Sequence, residues 1–132
     1  MPGMSATHAA NVVDASLGTA AFVATVGPIR CRLLTVNGSA TAAGTELGTS
    51  AGYTGGTSAP TVTFGAASTT TALAASSTAV TVTNMPASTV VGVELWDSAP
   101  TRKWWGPLTA SKTLNAGDTF SIAAGALTAQ NL

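Results

Sequence analysis

The sequence predicts an all-β chain: an antiparallel β-sandwich or jelly-roll-like barrel with one short N-terminal helix. Three observations predict it. Short runs of Val, Ile, Thr and aromatic residues, which suit a pleated and half-buried surface, recur roughly every ten residues. Turn chemistry separates the runs, at Asn37-Gly38, Met85-Pro86, Pro100, Asn115-Ala116-Gly117-Asp118 and Ala124-Gly125. Only one stretch has helical spacing. At 132 residues the chain is expected to be a single domain, 1–132, with an arm and helix over 1–18 and a long flexible loop over 37–60.

Residues 5–17, SATHAANVVDASL, form the helix candidate. Ser5 or Thr7 can cap its start by accepting a backbone N–H bond. Ala9, Val12, Val13 and Leu17 follow at near-helical spacing, and Gly18 is a natural stop. So short a helix is marginal unless it packs on something. Residues 29–36, IRCRLLTV, read as a strand with Ile29, Cys31 and Leu33 on one face and Arg30, Arg32 and Leu34 on the other. Asn37-Gly38 turns into the Gly/Ser/Thr/Ala-rich loop, with room for a short strand near Glu46 and Leu47. PTVTFGAAS from Pro60, AVTVT over 79–83 and TFSIA over 119–123 each alternate as strands do. Residues 68–78 read as loop or weak strand, and ALTAQ closes the set. VVGVELW and RKWWGPL, joined by DSAPT, read as a hairpin with Pro100 in its turn.

Composition excludes several function classes. Ten side chains are charged, 8% of the chain against roughly 25% in an ordinary soluble domain. The formal net charge is zero, and five scattered basic residues make a poor phosphate-binding patch, so no nucleic-acid partner is expected. A charge-poor neutral chain is weakly protected against self-association, which points to a surface largely covered in the working state. Cys31 is the only cysteine, so no internal disulfide forms, and it reads as a small buried thiol. No apolar run approaches the roughly 20 residues of a membrane span, and the N-terminus lacks a basic n-region, so no membrane partner is expected and the chain reads as cytoplasmically made.

The motifs that could carry chemistry are thin. Gly48-Thr49-Ser50-Ala51-Gly52 matches the G-x-S-x-G nucleophile elbow, but an elbow needs a strand before Ser50 and a helix after it. His8, the only histidine, precedes Ser50, the reverse of the α/β-hydrolase order, and reads as a surface or packing side chain. Glu94 and Asp97 could form an acid/base pair but point to opposite faces of a strand, which favours solvated or salt-bridged roles. Asp118 reads as a turn residue. No metal site, cofactor motif or phosphate loop is present, and no enzymatic activity is expected.

One stretch gathers what the rest lacks. Val93 to Thr109, VELWDSAPTRKWWGPLT, holds four of the ten charges (Glu94, Asp97, Arg102, Lys103) and all three tryptophans. Trp104 and Trp105 are adjacent and so face opposite sides of their strand. One can enter the core; the other needs a cover from a loop, the helix or another subunit. Tryptophan and arginine are enriched at interface hot spots, so Trp96, Arg102, Lys103, Trp104 and Trp105 are the expected subunit-interface residues.

The C-terminal third also carries a resemblance. Leu95-Trp96-Asp97, then Gly106-Pro107-Leu108-Thr109-Ala110-Ser111-Lys112-Thr113-Leu114-Asn115-Ala116-Gly117-Asp118-Thr119-Phe120, then Ala124-Gly125-Ala126-Leu127-Thr128 resemble the ending of a family of small virion structural proteins of tailed bacteriophages. These are common in actinobacterial phages. Val62-Thr63-Phe64-Gly65-Ala66-Ala67-Ser68 resembles a mid-chain segment of the same family, whereas 37–60 lacks its usual DPG-type turn. Members are variously labelled minor capsid, head decoration or tail fibre proteins.

The resemblance implies a virion structural role. The expected function is capsid decoration: a homo-oligomer, most simply a trimer, on the capsid exterior, bound across joints of the major capsid protein. A ligand that binds only the assembled lattice stabilises it by mass action. The N-terminus and the 37–60 loop are the expected shell contacts. The alternative is a tail fibre or baseplate component that binds the host surface, with exposed tryptophans stacking on sugars.

Overall fold

The structure is a computed structural model and describes residues 3–131. Met1, Pro2 and Leu132, the ends of the expected domain and arm, lie outside the described residues. Among the described residues ten strands and one α-helix follow one another: β1 (Gly3–Met4), α1 (Ala6–Ser16), β2 (Ile29–Val36), β3 (Thr45–Glu46), β4 (Thr61–Val62), β5 (Leu73–Ala75), β6 (Val80–Val82), β7 (Ser88–Trp96), β8 (Arg102–Leu114), β9 (Phe120–Ile122) and β10 (Thr128–Gln130). A short 3-10 turn, Gly56–Ser58, precedes β4. The fold is the predicted all-β sandwich with a short N-terminal helix. All pairings are antiparallel, and the main sheet stays open rather than closing into a barrel.

The main sheet runs β1-β8-β7-β2-β3, with β4 also on β2. Its centre is the β7–β8 hairpin, where Leu95 lies opposite Trp104 and Glu94 opposite Trp105. Strand β2 flanks β7, placing Cys31 opposite Leu95 and Arg32 opposite Glu94. The alternation read in IRCRLLTV therefore holds: Cys31 and Leu33 enter the core cluster with Val90, Val93, Leu95 and Leu114. Two short ladders, β6–β9 and β5–β10, lie opposite, and Val80, Val82 and Phe120 of the first, with Leu127 just before β10, supply the opposing apolar side chains.

Some elements differ from expectation. PTVTFGAAS yields only the two residues of β4, and Phe64 makes a lone bridge to Ser76. The hairpin's second strand does not end near residue 108 but runs to Leu114, absorbing extra residues where the pairing jumps from Val90–Lys112 to Gly92–Pro107. The weak 68–78 stretch contains β5, held by Ser76: its buried hydroxyl accepts the Gly125 and Leu127 N–H groups at 3.1 and 3.4 Å. Asp118 is the turn residue expected of it, accepting the Asn115 N–H at 2.8 Å.

Helix α1 starts at Ser5, whose hydroxyl accepts the His8 N–H at 3.3 Å. The same hydroxyl donates to Arg102 O at 2.7 Å, and Ser5 N donates to Lys103 O at 2.9 Å, so the cap also rivets the helix to β8. Gly18, at φ +71°, ends it in a Schellman turn: Gly18 N reaches Ala15 O and Thr19 N reaches Asp14 O. Of the residues whose spacing signalled the helix, Ala9 and Val12 are only half-buried. His8 is its buried side chain, while Val13 and Leu17 remain 53% and 71% exposed.

Burial pushes the Cys31 thiol up to about 12, and the side chain is fully buried. Thiolate is the reactive form, so Cys31 is expected not to react with a maleimide or disulfide reagent at pH 8 in the folded protein and to react fully in denaturant. Rapid native labelling would contradict the core assignment.

Candidate functional site

The tryptophan- and charge-rich hairpin is built as two faces. On the face away from the core, Glu94 is 1% exposed yet ionisable. A buried carboxylate must be compensated, and this one is. Arg102 Nη1 lies 3.2 Å from Glu94 Oε1, Gly44 N donates to the same oxygen at 2.8 Å, and Trp96 Nε1 donates to Oε2 at 3.0 Å. Arg102 also donates to Ser39 O at 2.6 Å and Ala40 O at 3.0 Å, fastening the 37–44 segment over the sheet.

The network continues sideways. The Arg32 guanidinium sits 3.9 Å from the centre of the Trp96 ring and 3.7 Å from Glu46 Oε2. Glu46 Oε1 accepts the Tyr53 hydroxyl at 2.8 Å and Gly56 N at 2.9 Å, and Tyr53 Oη accepts the Leu33 N–H at 3.1 Å. Burial, countered in part by that backbone bond, pushes the Tyr53 phenol well above its usual range. Gly44 makes the close approach possible, since a Cβ there would strike Val36 O and lie 2.8 Å from Gly38 N. Glu46 and Tyr53 were not anticipated as members of the site. The signal was available: Glu46 is the sole charge in the 37–60 loop and Tyr53 the sole tyrosine of the chain.

On the core face, a bulge sets the geometry. Leu95 pairs with Trp104 and Trp96 with Arg102, which leaves Lys103 as the extra residue and turns it to the same side as Trp104. Lys103 Nζ lies 3.4 Å from Asp97 Oδ2, with both residues buried. Asp97 Oδ1 accepts the Thr101 and Ala99 N–H groups at 2.8 and 3.1 Å, and Oδ2 accepts the Val26 N–H at 3.4 Å, closing the hairpin turn. Burial alone would raise the Asp97 pKa. The N–H bonds from Thr101 and Val26, together with the Lys103 ammonium, outweigh that and hold it below the usual range. Trp104 packs against the core, edge-on to His8 at 6.4 Å between ring centres. A cavity of about 440 Å³ opens beside these groups, lined by His8, Lys103, Trp104, Ile29, Phe64 and Leu95 among others.

The five expected interface residues are thus brought to one hairpin but divided between its faces. Trp104 is the core-side tryptophan. Trp105 is half-buried on the other face beside β1, its Nε1 donating to Met4 O at 3.2 Å. Trp96, Arg102 and Lys103 each hold an internal partner. Glu94 and Asp97 are salt-bridged to different cations and share no proton. Ser50 does not sit on a nucleophile elbow. It closes a tight turn in which Ser50 and Tyr53 exchange backbone bonds of 3.1 and 3.0 Å; the preceding strand already ends at Glu46 and the 3-10 turn that follows starts only at Gly56, so no strand runs into Ser50 and no helix springs from it. Among the described residues no group of three His, Cys, Asp or Glu could hold a metal ion, and no helix is long and apolar enough to cross a membrane.

A family model described as Podophage GP4 fiber I protein gp80 matches residues 3–130. No curated protein matches the chain.

Two outcomes follow from the geometry. Glu94→Gln leaves the buried Arg102 charge without its counterion, and is expected to lower unfolding free energy by about 3–5 kcal/mol in chemical denaturation. A loss below about 1 kcal/mol, the range of an exposed pair, would contradict the burial of the pair. His8 is held below its ordinary 6.5 by burial first and by Lys103 second, against a smaller opposing pull from Asp97. Its contribution is therefore complete above 6.5 and lost as pH falls through the folded value. The thermal midpoint is expected to be flat at pH 7–8 and to decline below pH 6.5, with His8→Gln removing the first part of that decline.

Proposed function

As a member of the family described as Podophage GP4 fiber I protein gp80, the chain is a phage virion structural protein, and we propose that it serves as a non-enzymatic building block of a virion fibre. The match over residues 3–130, nearly the whole chain, carries this reading. The geometry supports it. The carboxylates that a hydrolase would use are each fixed to a cation and to backbone N–H groups, an arrangement suited to holding strands together rather than exchanging protons with a substrate. The β7–β8 hairpin, cross-tied on both faces, is a stiff element for a part that transmits force.

The chain works in this reading as a homo-oligomer, with the exposed edges of Trp96 and Trp105 contributing to subunit contacts and Arg102 and Lys103 bracing the strand behind them. Decoration of the capsid exterior, through contacts to the major capsid protein, is the second reading. It is favoured by the likeness of residues 90–128 to proteins that include head decoration proteins. Glycan stacking by the tryptophans finds less support: Arg32 covers a face of Trp96, and Trp104 is turned into an apolar cavity.

Gold-labelled antibody against the chain, imaged on intact virions with copy number from gel densitometry, decides between the two. The fibre reading expects label on projecting fibres and few copies per particle. Label spread over the head shell with hundreds of copies would overturn it in favour of decoration.

A further inference from the structure

The cavity on the core side of the hairpin has the volume of a ligand site, about 440 Å³. Its wall is Ile29, Phe64, Leu95 and Trp104, with small side chains such as Ala74 and Ala129 leaving the space open. A sugar, polar around its whole rim, suits so apolar a wall poorly. Its polar groups include Lys103 and His8. His8 is 8% exposed and its buried Nδ1 has no hydrogen-bond partner. The site therefore suits an apolar group attached to something that brings a hydrogen-bonding atom to His8.

The same chain presents such a group beside the cavity. Among the described residues, five of the six large apolar side chains left exposed fall between positions 13 and 26: Val13, Leu17, Phe22, Val23 and Val26, with Val36 the sixth. Thr25 is part of the cavity wall, and Phe22 lies three residues away, at most about 11 Å along the chain. Phe22 is 58% exposed, and Phe22 to Thr25 make no hydrogen bond among the described residues, so their backbone groups remain available.

We propose that the cavity beside Trp104 is a socket for a second copy of this chain, whose 20–26 segment seats in it with Phe22 as the anchor. Plug and socket adjoin on one surface, which makes that surface self-complementary across a symmetry axis. An aromatic anchor in a pocket ringed by apolar residues is the arrangement that concentrates binding energy. Zero net charge puts no long-range repulsion between copies. The socket rests on the reading of the chain as an assembled virion part and says which surface assembles it.

Sedimentation of the purified chain from low to high micromolar concentration tests it, with Phe22→Ser, Ala74→Phe to fill the socket, and Val36→Ser as an exposed apolar control outside the patch. Circular dichroism checks that each variant is folded. The wild type and Val36→Ser are expected to associate alike, and Phe22→Ser and Ala74→Phe to dissociate about tenfold more readily or worse. If Ala74→Phe does not fold, Phe22→Ser decides alone, since an exposed side chain contributes little to folding. A wild type that stays monomeric throughout, or assembly untouched by Phe22→Ser, overturns the proposal. So does a monomer whose Phe22→Ser variant fails to enter virions, which would assign the Phe22 segment to a different virion protein. A monomer that still labels fibres removes this surface and leaves the fibre reading standing; an assembling chain absent from virions does the reverse.

Discussion

The second face of the sheet depends on one buried carboxylate. Glu94 stands on the central strand with Arg32 opposite it on one side and Trp105 on the other. Such a charge would be intolerable unless its oxygens were filled, and filling them recruits distant parts of the chain: Arg102 from the neighbouring strand, Trp96 from its own, and Gly44 from the loop. Arg102 then needs acceptors and takes them from Ser39 and Ala40. Each compensation creates the next. The result is a polar layer over a sheet whose other face carries the apolar core, with the Lys103–Asp97 pair at its edge.

The fold was largely legible in the sequence because its signals are local. The alternation of IRCRLLTV, the proline-bearing turn after Trp96, the Ser5 cap and the Gly18 stop each act within a few residues, and the elements appear where those signals lie. Short strands were less legible. A two- or three-residue ladder such as β5 is defined by its partner and by Ser76 reaching Gly125 and Leu127, and nothing within residues 68–78 announces that.

The candidate site was legible only as a place. The clustering of tryptophans and charges marked the right hairpin, and the adjacency of Trp104 and Trp105 required two faces. The side on which each falls depends on the bulge at Lys103, which is set by pairing with β7 and by the Asp97 turn rather than by any propensity. The role of the 37–60 loop was hidden for the same reason. Its Gly/Ser/Thr composition reads as flexible, whereas Glu46 and Tyr53 bond it to the sheet and Gly44 lies against Glu94. Buried polar networks link residues far apart in sequence, so composition carries little trace of them.

That network is most directly tested by native-state hydrogen exchange on the intact chain, residue by residue. If the Glu94 cluster holds the loop to the sheet, the Gly44 and Gly56 amides, bonded to Glu94 and Glu46, exchange slowly and open together with β7 and β8. If those two amides exchange at the rate of an unstructured chain while β7 stays protected, the loop is not held by the buried charges and the account of the second face is wrong.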